Sequence, residues 1–457
     1  MPCERARGLV WAVSVGVVSV VGALAQSDSI DPGEVLPTEL DLGECLVLAR
    51  EHSPVIREAR ERIVEQEATA RETRALRLPR ADVGGFYVHE DQERLSDFGS
   101  GAGPDEESWQ VAMEASLAVF TGGRLDAELK SQRELEGAFR AGSVAVENDV
   151  LLTVAETYYG ALLARQRVRV QEEAIRLFEL QFERARTRFE SGAGPKFDLL
   201  QADVALANAR PPLVRARNDY RIDVDELRRA IGLPYAPGRD ASGVVLSLDW
   251  PDVQPPEDLE AATERALESR PELGDIEARI QSARYDVTAS RRERAPDFEV
   301  YAGYQFTNDR FSGDRNDILQ GWGVGLRGDW PLWTSGAIGS RVAQDHSRLI
   351  QLMLVERELR LAIEVEVRRS WFEVEQASDI LETADRVIEQ AQEAVRLAEN
   401  RYSVGGLTQL DVLQSQLELT RALLEKAVAA HDFHVARAQL RRAQGLSPVE
   451  EAAPEER

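Results

Sequence analysis

The sequence predicts a mainly α-helical fold that carries a few β-strands and is duplicated within one chain. Three observations support this prediction. The sequence pattern of residues 188–201 recurs at residues 401–414. Each copy of the pattern ends a 67-residue stretch that lacks proline and has apolar residues at heptad spacing. Two segments in which apolar and polar residues alternate precede each of these stretches.

The duplication covers most of the chain. Residues 188–201 read RFESGAGPKFDLLQ and residues 401–414 read RYSVGGLTQLDVLQ, which is an offset of 213 residues. The same offset relates RRAIGLP at 228–234 to RRAQGLS at 441–447. A repeat of this length is far longer than a solenoid unit, so each copy is predicted to be a sizeable module.

The N-terminus predicts a secretory signal peptide at residues 1–25. Two arginines precede an apolar run from about residue 8 to 22, and residues 23–25 read ALA, an A-x-A cleavage pattern. The alternative is a retained membrane anchor, but the run is short for a span of ~20 apolar residues. The expected mature chain keeps one cysteine, Cys45, and therefore can form no internal disulfide.

The predicted order of elements is the same in both copies: a helix that ends at a proline, a β-hairpin, a long helix, a glycine-containing turn and a return helix. The first copy is predicted to cover residues 26–245, with a β-hairpin at about 81–120 and a helical hairpin at about 123–231. A proline-rich linker at 246–258 leads to the second copy at 259–446, with a β-hairpin at about 297–333 and a helical hairpin at about 336–444. Residues 447–457 are predicted to be a disordered tail.

The composition argues against several classes of function. A net charge of -25 and a pI near 4.8 argue against nucleic-acid binding, which needs a basic face. The sequence contains no G-x-S-x-G, H-E-x-x-H or P-loop motif, so neither an enzyme nor a cofactor site is predicted. His431 and His434 with one neighbouring aspartate are too few ligands for a usual zinc site. Both histidines are predicted to pack against other helices, and no metal site is predicted.

The alternating segments predict β-strands with one apolar and one polar face. FEVYAGYQF at 298–306 and GWGVGLRGDWPLW at 321–333 place every second residue on an apolar face, with aromatic residues at the ends. SWQVAMEASLAVF at 108–120 repeats this pattern in the first copy. The segment at 81–89 shows it less well.

Two interpretations of these strands are open at this point. They could form hairpins packed on a soluble core, or strands of a transmembrane β-barrel, which are ~9–11 residues long and apolar outside. Four strands cannot close a barrel, whereas three chains would supply twelve. In the barrel interpretation the predicted lipid-facing residues are Trp109, Val111, Tyr304, Trp322, Val324 and Trp330.

The two proline-free stretches predict coiled-coil helices of ~100 Å. The apolar seams are Val374, Ala377, Leu381, Ala384, Ile388, Ala391, Val395, Ala398 and Tyr402 in the second copy, and Ala161, Ala164, Val168, Gln171, Ile175, Phe178, Phe182, Ala185 and Phe189 in the first. After the second glycine break, Leu410, Leu413, Leu417, Thr420, Leu424 and Ala427 continue a seam. The breaks are turn sequences, so each long helix is expected to fold back as an antiparallel hairpin. Pro211-Pro212 should break or kink the return helix of the first copy.

With these features the sequence resembles the TolC-like outer-membrane efflux proteins. The resemblance rests on the doubled modules, on AVFTGG and PLWTSG at the strand-to-helix junctions, and on the doubled R-[FY]-x-x-G-x-x-x-x-x-D-[LV]-L-Q. It implies a homotrimer in the outer membrane of a Gram-negative-type cell, with a large periplasmic portion. Each chain would give four strands to a twelve-stranded barrel and long helices to a periplasmic tunnel. The implied function is a passive export conduit of a tripartite efflux or type I secretion system, with a periplasmic adaptor protein, an inner-membrane pump and outer-membrane lipid as partners.

The resemblance also implies roles for residues at the glycine breaks. The residues that match the periplasmic tips, where the tunnel meets the adaptor, are Gly192, Gly194, Gly405, Gly406 and Leu407. Tyr402 and Asp198 match the closing hydrogen-bond network, and Asp411 matches an acidic ring residue at the entrance. Leu407 stands at the position of the family's gating arginine, and Gln414 at that of a second entrance aspartate. Closure is therefore expected to rest on packing more than on charge.

A competing hypothesis is a periplasmic adaptor or structural protein, that is, a coiled-coil hairpin with a small β-domain and no channel. Trp322, Trp330 and Trp333 would then be core residues rather than lipid-facing ones. Exposure of Trp322 and Val324 to lipid distinguishes the two hypotheses.

Overall fold

The computed structural model describes residues 39–89, 107–233, 245–246, 250, 258–308 and 318–448. The predicted signal peptide lies outside these residues, as do most of the predicted linker and the predicted tail from residue 449 onward. The first copy contains β1 (Glu39–Leu40), α1 (Leu42–His52), α2 (Pro54–Ala75), β2 (Arg80–His89), β3 (Glu107–Phe120), α3 (Arg124–Glu190) and α4 (Lys196–Ile231). The segment between the copies contains β4 (Val245–Leu246), and the second copy contains α5 (Leu259–Ser269), α6 (Pro271–Arg292), β5 (Asp297–Asn308), β6 (Leu319–Asp329), α7 (Ala337–Ser403) and α8 (Gln409–Ala443).

The predicted fold class, mainly α-helical and duplicated with four main strands, is confirmed. Both long helices, α3 and α7, contain 67 residues. Each is followed after a short turn by its return helix, α4 or α8. None of the described helices has the length and apolar character needed to cross a membrane.

Local sequence accounts for where the shorter helices begin. Asp41 caps α1 in a capping box, since the Glu44 backbone N–H donates to Asp41 Oδ1 at 2.6 Å and the Asp41 N–H donates to Glu44 Oε2 at 3.2 Å. Pro54 and Pro271 occupy the first position of α2 and α6, where the missing N–H has no partner to lose. The proline start thus recurs in both copies, whereas Asp258 before α5 forms no side-chain cap bond like that of Asp41.

The recurring RRA-x-G-L sequence is the end of each return helix. Gly232 and Gly445 have φ of +95° and +76°, a left-handed conformation that terminates α4 and α8. Each glycine also lies against the turn between two shorter helices. A Cβ on Gly232 would meet the His52 carbonyl oxygen at 2.7 Å, and one on Gly445 would meet that of Ser269 at 2.9 Å. The repeat therefore preserves a close backbone contact as well as a helix cap.

The four main strands form one antiparallel sheet in the order β2-β3-β5-β6. The pair β3–β5 joins the two copies, with Trp109 opposite Asn308. Within the second copy, Tyr304 lies opposite Trp322 and Glu299 opposite Arg327. The strands β1 and β4 form a separate parallel pair that brings the start of the first copy beside the segment before the second.

A core lies between the long helices and the shorter helices that flank them. In the second copy its buried residues come from all four helices: Ala262 and Ala266 of α5, Ile276 and Ile280 of α6, Ile363, Val367 and Val374 of α7, and Phe433 of α8. Burying one of the larger side chains, such as Ile363 or Phe433, stabilises the folded state by ~1.5–3 kcal/mol. This core, rather than helix propensity, holds the hairpins in place.

The heptad seam of α7 is confirmed, because every predicted member is buried or half-buried. The seam of α8 is partly wrong. Leu410 and Leu417 are 55% and 42% exposed, and the buried face at this end of α8 carries Gln409, Val412 and Gln416 instead. Apolar periodicity identified the leucines, but the face that meets the neighbouring helices here is partly polar. In α3 the last seam residue, Phe189, is also exposed.

The expected break at Pro211-Pro212 is wrong, since α4 runs from Lys196 to Ile231 with both prolines inside it. Each proline removes a backbone donor from the helix. Ala209 and Ala216, on either side of the pair, are buried. Packing on both sides of the prolines keeps the segment helical.

One predicted strand is longer than the observed strand. β6 ends at Asp329, so Trp330 lies just beyond it rather than on its apolar face. Pro331 follows and has no N–H to continue the sheet ladder. The indole Nε1 of Trp330 donates to the Arg294 carbonyl oxygen at 3.2 Å, which fixes the indole against the end of α6.

Candidate functional site

The two turns at the helical tips have the same backbone structure. In the first, the Gly192 N–H donates to the Phe189 oxygen at 3.0 Å and the Ala193 N–H to the Arg188 oxygen at 2.8 Å. In the second, the Gly405 N–H donates to the Tyr402 oxygen at 3.1 Å and the Gly406 N–H to the Arg401 oxygen at 2.8 Å. This pattern is a Schellman motif, which requires a left-handed residue. Gly192 and Gly405 supply it, with φ of +73° and +78°.

The other predicted tip residues lie on the same turns. Gly194 is close to the preceding helix, since a Cβ there would meet the Arg188 Cβ at 3.2 Å. Gly406 is less confined and Leu407 is half-buried. The tips thus present short, mostly exposed backbone turns.

Asp198 and Asp411 occupy the same position, the third residue of their return helix, but their environments differ. Asp411 forms a capping box with Thr408: its Oδ2 accepts from the Thr408 N–H at 2.8 Å and from the Thr408 hydroxyl at 2.7 Å. The Thr408 hydroxyl and backbone bonds lower the pKa of Asp411. In the first copy Pro195 is the capping residue and offers no such group. Asp198 is therefore available for another contact.

That contact is with Tyr402 and involves Arg188. The guanidinium carbon of Arg188 lies 4.9 Å from the centroid of the Tyr402 ring, within range of a cation–π interaction. Burial raises the pKa of the Tyr402 hydroxyl, the positive charge of Arg188 lowers it, and the charge and hydrogen bonding of Asp198 raise it. Tyr402 and Asp198 were predicted as a pair and the structure brings them together. Arg188 was recognised only as a repeated residue of the motif.

A buried polar layer lies one helical turn behind this cluster. Glu399 Oε1 accepts from Gln181 Nε2 at 3.0 Å and from Gln416 Nε2 at 3.4 Å, and Arg184 Nη1 lies 3.5 Å from it. Both glutamines are 1% exposed. The layer connects α3 with α7 and α8, so it bridges the two helical hairpins. The layer was not predicted, because apolar periodicity does not reveal polar residues at buried positions.

An apolar groove of about 820 Å³ runs along α4 and α8 near the tips. Its exposed side chains include Phe197, Leu200 and Val204 of α4 and Leu410 and Leu417 of α8. Helix faces of this kind are expected to be covered in an assembly.

The sheet is a second candidate region, with two faces of different character. Trp322 and Val324 are 78% and 66% exposed, and Trp330 is 61% exposed. Val111 and Tyr304 are each 37% exposed, and Trp109 is half-buried. All except Trp330 are on one face by register. The exposed tryptophans do not meet the expectation of the soluble-core interpretation.

The opposite face of the sheet carries charge. Arg327 of β6 is 3.6 Å from Glu299 on the neighbouring strand β5 and 4.0 Å from Glu114 on β3, the next strand beyond it. Its guanidinium carbon also lies 4.9 Å from the centroid of the Tyr301 ring. Alternation therefore gives β3, β5 and β6 an apolar side and a polar side, whereas β2 also carries Phe86 and Val88 on the polar side.

His434 packs in a ring stack. Its imidazole is in contact with the rings of Tyr159 and Trp250, with both centroid distances 5.3 Å and interplanar angles of 22° and 9°, and those two rings also lie 6.1 Å from each other. Burial lowers the pKa of His434 to about 4, and the positive charge of Arg437 adds to this. The predicted packing role of His434 is confirmed. His431 bonds instead to Asp432, at 2.8 Å.

Comparison with known proteins agrees with this geometry. The model of the family described as "Outer membrane efflux protein" matches residues 45–233 and 262–446. The alkaline protease secretion protein AprF of Pseudomonas aeruginosa is 24% identical over 299 residues, which are 64% of this chain and 60% of AprF. The pyoverdine export outer membrane protein OpmQ of the same organism is 25% identical over 343 residues, 73% of this chain and 68% of OpmQ.

Solved structures share the fold. The Campylobacter jejuni CmeC outer membrane channel superposes with a TM-score of 0.72 at 15% identity, over 90% of this chain and 87% of CmeC. The match covers both copies of the repeat. This chain spans only 60% of the length of AprF, so the sequence match to that protein is partial.

Proposed function

The chain belongs to the outer membrane efflux protein family, and from this premise we propose that three copies form a passive export conduit. The conduit crosses the outer membrane as a barrel of twelve strands and continues into the periplasm as a tunnel of long helices. The observation that carries this proposal is the four-stranded sheet. Within the described residues its outer strands, β2 and β6, each pair on one side only.

Two properties of the sheet support a membrane-inserted trimer. Unpaired strand edges favour pairing with another chain, and closing a barrel leaves no edge. The exposed Trp322, Val324 and Leu326 form an apolar surface that water does not favour and lipid does. Glu114, Glu299 and Arg327, on the other face, would line a water-filled lumen.

At the opposite end, the tips of the helical hairpins form the entrance and its gate. Arg188, Tyr402 and Asp198 hold the first hairpin of a chain to the second, and Glu399 does the same one turn behind. The turns with Gly192, Gly194, Gly405, Gly406 and Leu407 are the docking points for a periplasmic adaptor protein. Three copies of Asp411 would form an acidic ring that attracts cations, in addition to capping α8.

The partners are a periplasmic adaptor and an inner-membrane pump, which supplies the substrate. The names of OpmQ and AprF describe export of pyoverdine and secretion of a protease, and both are consistent with a conduit that itself performs no chemistry. Export is therefore assigned to this chain as a transport function rather than an enzymatic one.

Reconstitution tests the proposal. Protein extracted from outer membranes in detergent is expected to be a trimer and to give cation-preferring conductance in planar bilayers. A lipid-soluble photoreactive reagent is expected to label the region of Trp322 and Val324 and to leave the buried Ile363 and Val367 unlabelled. A chain that purifies as a soluble monomer without detergent, or a sheet that takes no label, contradicts the proposal.

A further inference from the structure

Three apolar side chains project from the junction between β6 and α7. Trp330, Leu332 and Trp333 are 61%, 77% and 87% exposed. They follow the end of the strand at Asp329 and precede the helix at Ala337. The first copy has an exposed apolar pair at the matching place, Val119 and Phe120, at 53% and 50%. Both copies thus expose large apolar side chains at the junction between the last strand and the long helix.

A group of unpaired arginines lies beside these side chains in the second copy. Arg291 and Arg292 end α6, Arg294 follows it, and all three are exposed. Their guanidinium groups form no hydrogen bond or ion pair with any part of the chain that the structure describes. The bond from Trp330 Nε1 to the Arg294 carbonyl oxygen places the backbone of Arg294 next to the indole, two residues after the end of α6. A local cationic surface of this kind stands out in a chain of net charge -25.

The arginines of the adjacent cavity are different, because acidic neighbours already neutralise them. This cavity of about 460 Å³ contains Arg124 and Arg341. Arg124 contacts Glu128 at 2.9 Å, and Arg341 contacts Glu293 at 2.6 Å. Unneutralised positive charge is therefore found at the surface formed by residues 291–294 rather than inside the cavity.

The position of this surface matches a membrane boundary. Trp330 is eight residues from Trp322, or ~26 Å along the chain, of which a strand tilt of about 35–45° leaves ~20 Å along the barrel axis. The apolar band of a membrane barrel is ~25 Å tall, with aromatic residues at both boundaries. Because the helices of this family lie in the periplasm, Trp330 and Trp333 belong to the boundary that faces the periplasm.

We propose that the junction formed by residues 291–294 and 330–333 binds an anionic phospholipid of the inner leaflet of the outer membrane. The guanidinium groups of Arg291, Arg292 and Arg294 contact the headgroup phosphate, and the indoles of Trp330 and Trp333 lie against the glycerol and upper acyl chains. Charge complementarity selects this occupant, since clustered basic residues beside a membrane attract anionic lipids. The inference rests on the proposed insertion of the conduit in the outer membrane.

Tryptophan quenching by brominated lipids tests it. Trimers in bilayer nanodiscs are prepared with brominated phosphatidylglycerol or brominated phosphatidylcholine at equal fractions. The native chain is expected to show a preference for phosphatidylglycerol of about fivefold or more. Arg291→Gln/Arg292→Gln/Arg294→Gln should lose the preference. Trp330→Phe/Trp333→Phe removes the reporting indoles, so the difference in quenching between the two lipids should disappear, which assigns that difference to this junction rather than to the other tryptophans.

The matched control is Arg215→Gln/Arg368→Gln/Arg401→Gln, which removes the same charge from exposed positions on the long helices and should keep the preference. Equal quenching of the native chain by both lipids overturns the inference. So does a loss of preference in the control, or an arginine variant whose trimer falls apart, which identifies the surface as a subunit contact. Conductance is recorded on the same samples, so a native trimer that conducts without lipid preference overturns this inference alone.

Discussion

The guanidinium of Arg188 lies over the ring of Tyr402, and this contact joins the two copies of a duplicated chain at their tips. Arg188 ends the long helix of the first copy and Tyr402 ends that of the second. Asp198, from the return helix of the first copy, acts on the same hydroxyl. We propose that this three-residue cluster takes the place of the arginine that position 407 lacks.

The first prediction is that Arg188→Gln opens the conduit. One cation–π contact contributes ~0.5–1 kcal/mol, so three in a trimer contribute ~1.5–3 kcal/mol. Their loss should raise the ratio of open to closed channels by about ten- to a hundredfold, since ~1.4 kcal/mol is a factor of ten. Single-channel recording measures the open probability.

Arg401→Gln is the control for that prediction, because Arg401 is the repeat equivalent of Arg188. Arg401 is exposed, and its side chain has no hydrogen bond or ion pair among the residues described. It should behave like the native channel. Equal effects of the two substitutions would assign the change to net charge at the tip and contradict the contact.

The second prediction separates Asp411 from Asp198. Thr408 lowers the pKa of Asp411 in the folded state. The capping bond therefore stabilises α8 fully at pH values above the unfolded pKa of ~3.9. This stabilisation is lost as the pH falls through the lower, folded pKa. Asp411→Asn should speed amide hydrogen exchange over the first turn of α8 at pH 7, and Asp198→Asn should leave the first turn of α4 unchanged. Faster exchange in α4 alone would contradict the assignment.

The third prediction concerns the turn glycines. Gly405→Ala places a Cβ in open space but in a left-handed conformation, which costs ~1–2 kcal/mol per residue. The apparent melting temperature in detergent should fall. Gly142→Ala is the control, because Gly142 lies inside α3 with nothing near its Cβ position. Alanine stabilises a helix interior by ~0.5–1 kcal/mol relative to glycine, so this variant should not lower the melting temperature. Stabilisation by both changes would refute the turn geometry.

The fourth prediction is a pH dependence from His434. The folded pKa of about 4 is below the unfolded value of ~6.5, so the unfolded chain binds the extra proton as pH falls between them. The free energy of unfolding should decrease as the pH falls over that range, and at pH 4 it should be about 3 kcal/mol per chain lower than at neutral pH. His434→Phe keeps the stack on Tyr159 and should flatten the melting temperature between pH 7.5 and 5. His431→Gln, outside the stack, should retain the native slope.

The fifth prediction concerns the polar face of the sheet. Arg327 lies between Glu114 and Glu299, so Arg327→Gln leaves two carboxylates without their cation. Cation over anion permeability should increase in bilayers, because carboxylates in a pore favour cations. Arg327→Lys keeps the charge and should remain close to native. A change in Arg327→Lys of the same size would show that shape rather than charge matters.

The main helices and strands were predictable because their signals are local and periodic. The heptad seam of α7 and the alternation in β5 and β6 each follow from one helix or strand read alone. The missed features depend on what neighbouring helices supply. Pro211-Pro212 stays helical because its flanks pack, and Leu410 is exposed because α8 turns a partly polar face inward.

The site was predictable only in part. The family resemblance pointed to Tyr402 and Asp198, but nothing local links either one to Arg188. The capping role of Asp411 depends on Thr408, whereas the matching position in the first copy is Pro195. Duplicated positions have diverged in their contacts, and only the three-dimensional structure shows which contacts each copy makes.

The most direct test of the gate is the single-channel conductance of the double variant Asp198→Ala/Tyr402→Phe in planar bilayers. Both changes act on the contact between the two hairpins and leave the sheet untouched. Conductance above that of the native trimer, with unchanged trimer stability, is the predicted result. Conductance equal to that of the native trimer would show that this cluster does not close the conduit.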